Sequence, residues 1–159
     1  MEVGLGETAN RLFENGIFHN TPWTLKADMK VYDAVELWTA HGTDAVMLLD
    51  DDEEYVGILS QRDYLRKVTL LDKSSKETKC SEIMTRKTNL ITVSPDDSLM
   101  HCMKAMLARD IRHLPIVEDG KLKGLLSIKD LIEAAMKQKD AMIKRLSQGS
   151  LGSLHPNDM

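Results

Sequence analysis

Aromatic residues are scarce in this chain, 4% of 159 positions, so any core has to be built mainly from Leu, Ile, Val, Met and Ala. Cysteine is nearly absent as well. Cys80 and Cys102 match neither a disulfide framework nor a CxxC zinc pattern. Cys102 falls on the apolar face of an expected helix, whereas Cys80 falls in a polar linker and is expected to be exposed, with a redox role weighed and held the lesser reading. No apolar run approaches the roughly 20 residues of a membrane-spanning helix. Neither sign of charge dominates: 21 Lys and Arg against 25 Asp and Glu leave a net −4, which gives no global attraction to nucleic acid or an anionic membrane, although a local basic pocket remains compatible. The first residues carry no basic stretch and no Arg/Ser bias, so no targeting segment is read. That gives the cytoplasm by default, or an organelle (mitochondrion or plastid) if a leader has been trimmed. There is no P-loop, no nucleophile–base pair in a recognisable context and no metal-ligand cluster; His113 lacks a partner at ligand spacing. The reading is therefore not an enzyme and no catalytic cofactor. Asp51 to Glu54 form an acidic run that reads as a solvated hairpin turn.

What the chain does have is 42% hydrophobic residues, enough for one compact domain with a real core. It also has an internal repeat. Gly57-Ile58-Leu59-Ser60-Gln61-Arg62-Asp63 and Gly124-Leu125-Leu126-Ser127-Ile128-Lys129-Asp130 share the pattern G-x-x-S-x-x-D. Each follows an apolar strand and opens a helix, as a capping box does. Trp23-Thr24-Leu25 and Ile91-Thr92-Val93 are matched short strands, followed by the helical stripes Val31, Ala34, Val35, Trp38 and Leu99, Cys102, Met103, Met106. Buried strands at 45–49 and 114–117 come next. The unit reads β-α-β-β-α, twice, in an α/β (α+β) fold, and a unit of about 60 residues buries too little surface to stand alone.

The expected boundaries are an N-terminal arm at 1–19, unit 1 at 20–71, a linker at 72–81, unit 2 at 82–146 and a disordered tail at 147–159. The last helix outruns its counterpart, with Ile132, Met136, Ile143 and Leu146 near one face; an oligomer or arm contact and a half-exposed helix stand as equal readings. His41 and His101 read as helix-surface residues, and the methionines at 100, 103, 106, 136 and 142 as packing.

A strand that ends at a helix N-terminus points free backbone N–H groups and a positive dipole end at whatever sits above, a place for phosphate. A cap serine adds a hydroxyl, and an acid three residues on can accept hydrogen bonds from both hydroxyls of a ribose. Gly124 permits close approach, and Leu114-Pro115-Ile116 suits an adenine-sized slot. The bland alternative for each motif alone is a helix cap worth about 1 kcal/mol.

The paired β-α-β-β-α units, the two G-x-x-S-x-x-D motifs and Arg112-His113-Leu114-Pro115 before a strand resemble the CBS domain (cystathionine β-synthase domain) family. Two in tandem look like a Bateman module. Ser60-Gln61-Arg62-Asp63-Tyr64-Leu65-Arg66-Lys67 and the bare pair with short ends look most like stand-alone CBS-pair proteins of plant organelles and their microbial relatives. The resemblance covers about residues 20–145. It implies two units packed sheet to sheet with pseudo-two-fold symmetry, adenosine nucleotides (AMP, ADP or ATP, with S-adenosylmethionine or NAD as further candidates) between the repeats, a homodimer, and regulation of an unidentified partner protein. The rival reading is a nucleotide-independent scaffold acting on a partner enzyme such as a thioredoxin-type protein.

On this reading the stronger site comprises Thr92, Arg112, His113, Leu114, Pro115, Ser127, Lys129 and Asp130, with Arg112 and His113 meeting a phosphate or stacking on a base. A weaker site comprises Thr24, Ala45, Ser60, Arg62 and Asp63, because Asp44 stands where the second copy has Arg112 and would repel phosphate.

Overall fold

The computed structural model describes residues 6–151. Unit 1 consists of β1 (Thr24–Lys26), α2 (Val31–His41), β2 (Ala45–Leu49), β3 (Tyr55–Ser60) and α3 (Gln61–Tyr64), which runs on into a π-helical turn at Leu65–Thr69. Unit 2 consists of α5 (Leu99–Arg109), β5 (His113–Glu118), β6 (Lys121–Ser127) and α6 (Ile128–Leu151). A short helix precedes each unit: α1 (Ala9–Glu14), and α4 (Cys80–Ile83) with the two-residue strand β4 (Thr85–Arg86) behind it. The β-α-β-β-α repeat is therefore present, with one difference. Ile91-Thr92-Val93 forms no full strand; only Val93 joins the sheet, donating its N–H to the Pro115 carbonyl at 3.0 Å and accepting from Val117 N–H at 2.8 Å.

Strand order in the first sheet is β1-β2-β3-β4, with β1 parallel to β2 and the other pairs antiparallel. β5 and β6 make the second sheet. Ala45 pairs with Ser60, and His113 with Ser127. The two hairpins are thus in the same register, and Ala45 of one unit stands for His113 of the other.

Side-chain alternation along the strands divides the core into three. Val46, Leu48 and Leu59 pack beneath the helices of unit 1, and Leu114, Ile116 and Leu126 beneath those of unit 2. The opposite faces meet: Met47 and Ile58 of the first sheet join Leu125 of the second in a third buried cluster. The layer order is helices, sheet, sheet, helices.

The lead-in helices cross over. Ala9 and Leu12 of α1 are buried among Val93, Leu99, Leu126 and Leu131 of unit 2, while Cys80 and Ile83 of α4 are buried among Val31, Ala34 and Leu59 of unit 1. Two expectations are corrected by this. The N-terminal segment is not an arm outside the core, because Ala9, Leu12 and Phe18 are all buried and α1 is anchored by Ala9 N–H on the Asp97 carbonyl at 2.8 Å. Cys80 is not exposed. It is fully buried under α2, and burial pushes its thiol up to about 12.

Cys102 is buried as expected. Of the methionines read as packing, Met106 is buried, whereas Met100, Met136 and Met142 are exposed. Helix α6 outruns α3 and carries Ile132, Met136, Ile143 and Leu146 at half or more exposure. Ser147 to Leu151, read as the start of a tail, continue this helix. The rest of that tail lies outside the described residues. No helix among the described residues is long and apolar enough to cross a membrane.

Candidate functional site

The mouth of α3 is built as the sequence implies. Ser60 caps the helix, and its Oγ accepts from Asp63 N–H at 3.3 Å; Asp63 Oδ2 accepts in return from Ser60 N–H and Oγ–H, both at 3.2 Å. The other oxygen, Oδ1, takes Lys67 Nζ at 3.1 Å and the Thr85 hydroxyl at 3.4 Å. Thr85 arrives from β4, which the linker lays against β3.

Beside this mouth lies a cleft of about 510 Å³. Unit 1 contributes Ile58, Ser60, Arg62, Asp63 and Arg66; the lead-in to unit 2 contributes Thr85, Leu90 and Ile91; unit 2 contributes Arg109, Arg112, His113 and Pro115. A helix mouth, a carboxylate, apolar side chains and four guanidinium groups line it. Its volume falls in the range of small-molecule sites. Arg62 spans the two units, donating from Nη1 to the Asp110 carbonyl at 3.0 Å. So does the hydrogen bond between His113 Nε2 and Asp44 Oδ1, 2.8 Å apart. The hydrogen bond to His113 holds the Asp44 carboxyl below its ordinary 3.8, against the opposing effect of burial.

The Asp130 mouth differs. Asp130 Oδ2 accepts from Ser127 N–H at 2.8 Å, as a cap should, but Oδ1 accepts from Ile17 N–H at 3.1 Å. The N-terminal segment has taken the space. A Cβ on Gly16 would lie 2.8 Å from Asp130 Cγ, so only glycine lets the segment come this close, and a Cβ on Gly124 would lie 2.8 Å from the Phe13 ring. Burial raises the Asp130 carboxyl above 3.8, opposed by the two amide hydrogen bonds.

The larger room lies beside Asp63; the N-terminal segment packs against Asp130 and leaves there a smaller cleft of about 180 Å³, lined by Leu12, Asn15, Asp130 and Glu133. The expected grouping changes. Arg112, His113 and Pro115 line the cleft with Ser60, Arg62 and Asp63 of the other unit; Ser127 and Asp130 do not line it, although His113 pairs with Ser127 in the sheet. Leu114 points the other way, into the core of unit 2. Thr92 is exposed and does not line the cleft, and Lys129 is exposed, with its N–H on Ser127 Oγ at 3.2 Å. Thr24 and Ala45 lie on the first sheet, paired with Met47 and Ser60 respectively. Arg66, Arg109, Thr85 and Ile58 were missed. Arg66 was legible, one helical turn beyond Arg62; Thr85 was not, since nothing local says that the linker returns to unit 1.

Comparison with known proteins agrees with this architecture. A family model for the CBS domain matches residues 16–69 and 80–137. The chain is 37% identical over 122 residues to the CBS domain-containing protein CBSX3, mitochondrial, of Arabidopsis thaliana, which covers 76% of this chain and 59% of that protein. It is 35% identical over 145 residues to the inosine-5'-monophosphate dehydrogenase of Staphylococcus haemolyticus, covering 88% of this chain and 28% of that enzyme. The chain thus spans about three fifths of the plant relative and less than a third of the dehydrogenase. Among solved structures, a protein with CBS domains from Burkholderia ambifaria is 36% identical with a TM-score of 0.73, covering 82% of this chain and 95% of that one. A CBS-domain protein from Agrobacterium tumefaciens is 25% identical with a TM-score of 0.74, covering 85% and 98%.

Proposed function

We propose, for a chain that belongs to the CBS domain family, that the cleft beside Asp63 binds an adenosine nucleotide and that the bound state is read by a partner protein. One observation carries this. The Ser60–Asp63 helix mouth of one unit and Arg112, His113 and Pro115 of the other line the same 510 Å³ cleft. Ile58 and Pro115 suit the flat faces of a base. The helix mouth supplies N–H donors for a sugar-phosphate, and Arg62, Arg66, Arg109 and Arg112 suit phosphate oxygens, which a guanidinium meets with two parallel hydrogen bonds. Four such groups favour more than one phosphate, ADP or ATP over AMP.

A ribose has to compete for Asp63. The four acceptor positions of its carboxylate are matched by Ser60 N–H, Ser60 Oγ–H, Lys67 and the Thr85 hydroxyl. Binding therefore exchanges Thr85 or Lys67 for sugar hydroxyls, and through Thr85 it acts on the strand that joins the units. This is the physical route from occupancy to a shift in how the units pack. The ligand is read and released unchanged.

A second copy of the chain is the proposed cover for the apolar face of α6, where Ile132, Met136, Ile143 and Leu146 stand out. The redox version of the scaffold reading loses its anchor in Cys80, whose thiol is buried and pushed up to about 12. The plant relative's mitochondrial designation makes an organelle the compartment to examine first.

The test is a thermal-shift and calorimetry panel of AMP, ADP, ATP, S-adenosylmethionine and NAD. Stabilisation by ADP and ATP at millimolar concentration or below is expected, weakening with salt. No binding by any of the five leaves the nucleotide-independent scaffold.

A further inference from the structure

The repeat lets the two clefts be compared residue by residue. His113 and Pro115 of unit 2 and Ile58 of unit 1 wall the open cleft. By strand register their counterparts are Ala45 and Met47 of unit 1 and Leu125 of unit 2. These three sit in one buried cluster that also holds Phe18, Tyr55 and Ile58. Phe18 is fully buried. Its ring meets the His113 ring edge-on, with centroids 6.3 Å apart at 61°. One residue earlier in the chain, Ile17 N–H donates to Asp130 Oδ1 at 3.1 Å. Gly16 allows that approach.

We propose that Gly16-Ile17-Phe18 is a built-in occupant of the second cleft, an internal peptide ligand in which the Phe18 ring takes the place of a base and the Ile17 amide the place of a sugar hydroxyl on Asp130. The chain then has one cleft for an outside ligand and one that it fills itself. The self-filled cleft is a site for a planar aromatic base joined to a hydroxylated sugar, closed by a single side chain. The open cleft has no such plug because its counterpart of Phe18, at the same repeat spacing of 68 (91 − 23), is Arg86, which is exposed on β4. The inference rests on the nucleotide reading only for the kind of ligand; the occupancy by Phe18 stands on packing alone.

The test uses the full chain with Phe18→Ala, with Phe18→Leu as the milder variant should the alanine form fail to fold, and two probes, adenosine and indole. Phe18→Ala is expected to melt lower than wild type and to recover several degrees in millimolar adenosine beyond any shift wild type shows. Adding Asp130→Ala is expected to abolish that extra recovery, and indole is expected to restore Phe18→Ala without needing Asp130. In wild type, Asp130→Ala should leave nucleotide binding within twofold. Two results overturn the inference: adenosine giving neither folded variant an extra shift, even where indole does, or wild type binding a second nucleotide that Asp130→Ala removes. If wild type binds no nucleotide yet Phe18→Ala gains adenosine through Asp130, the reading of the open cleft fails and this inference holds.

Discussion

His113 Nε2 and Asp44 Oδ1 are 2.8 Å apart, and they belong to different units. The residue that the sequence suggested would repel phosphate is the partner of the residue suggested to attract it. A phosphate entering the cleft competes with Asp44 for His113 and meets the Asp44 charge besides. Asp44→Ala should therefore tighten ADP or ATP binding several-fold at low salt, with the gain shrinking as ionic strength rises. Calorimetry at two salt concentrations checks both parts.

The same pair sets a pH dependence of stability. Asp44 is held below its ordinary 3.8 in the folded chain, so the unfolded chain takes up the proton first as the pH falls. The stabilisation is complete above that ordinary value and is lost as the pH falls through the lowered folded value. Asp44→Asn should flatten the loss of stability below about 3.8, read from urea midpoints across pH. Asp130 has the opposite sign: its carboxyl is raised, so its protonation favours the fold as the pH falls toward and below the raised value.

Gly16→Ala should cost roughly 1–3 kcal/mol, the range for forcing a methyl into packed structure, because its Cβ would meet Asp130 Cγ and the Leu12 carbonyl, both at 2.8 Å. Gly149→Ala, on the exposed part of α6 with nothing within 4 Å of a Cβ, should be neutral or stabilising by up to about 1 kcal/mol. Equilibrium urea unfolding of both variants checks the contrast.

Neither cysteine should react in the native protein. Burial pushes Cys80 up to about 12 and Cys102 up to about 11, so little thiolate forms at pH 8 and neither thiol is reachable. A chromogenic disulfide reagent should register no thiol in the folded chain and two per chain in denaturant.

Charge placed on the exposed face of α6 should act on association without unfolding the chain. For the dimer proposed through this face, Ile143→Glu with Leu146→Glu should shift sedimentation to monomer while leaving the melting temperature of the dilute protein within about 2 °C, since both positions are already exposed.

The repeat, its shared register and the Ser60–Asp63 cap were legible because each is local: a strand, a turn and a capping box carry their own residue types. The crossover of α1 and α4 was not legible. Leu12 and Cys80 look alike whether a lead-in helix packs on its own unit or the other, and sequence separation hides that choice. The grouping of residues around the two mouths was hidden for the same reason. Arg112 and His113 were credited to the acid of their own repeat, yet the sheets face each other, so a strand end of one unit stands over the helix mouth of the other. Phe13 and Phe18, the only phenylalanines in a chain poor in aromatics, were the available hint that the N-terminal segment is core.

The most direct measurement is the stoichiometry and affinity of ATP by calorimetry for wild type, Asp63→Asn, Asp63→Ala and Asp130→Ala, all at one salt concentration. One nucleotide per chain is expected, weakened at least tenfold by Asp63→Ala, less by Asp63→Asn, and changed under twofold by Asp130→Ala. Binding that survives Asp63→Ala and disappears with Asp130→Ala would contradict the assignment of the open cleft.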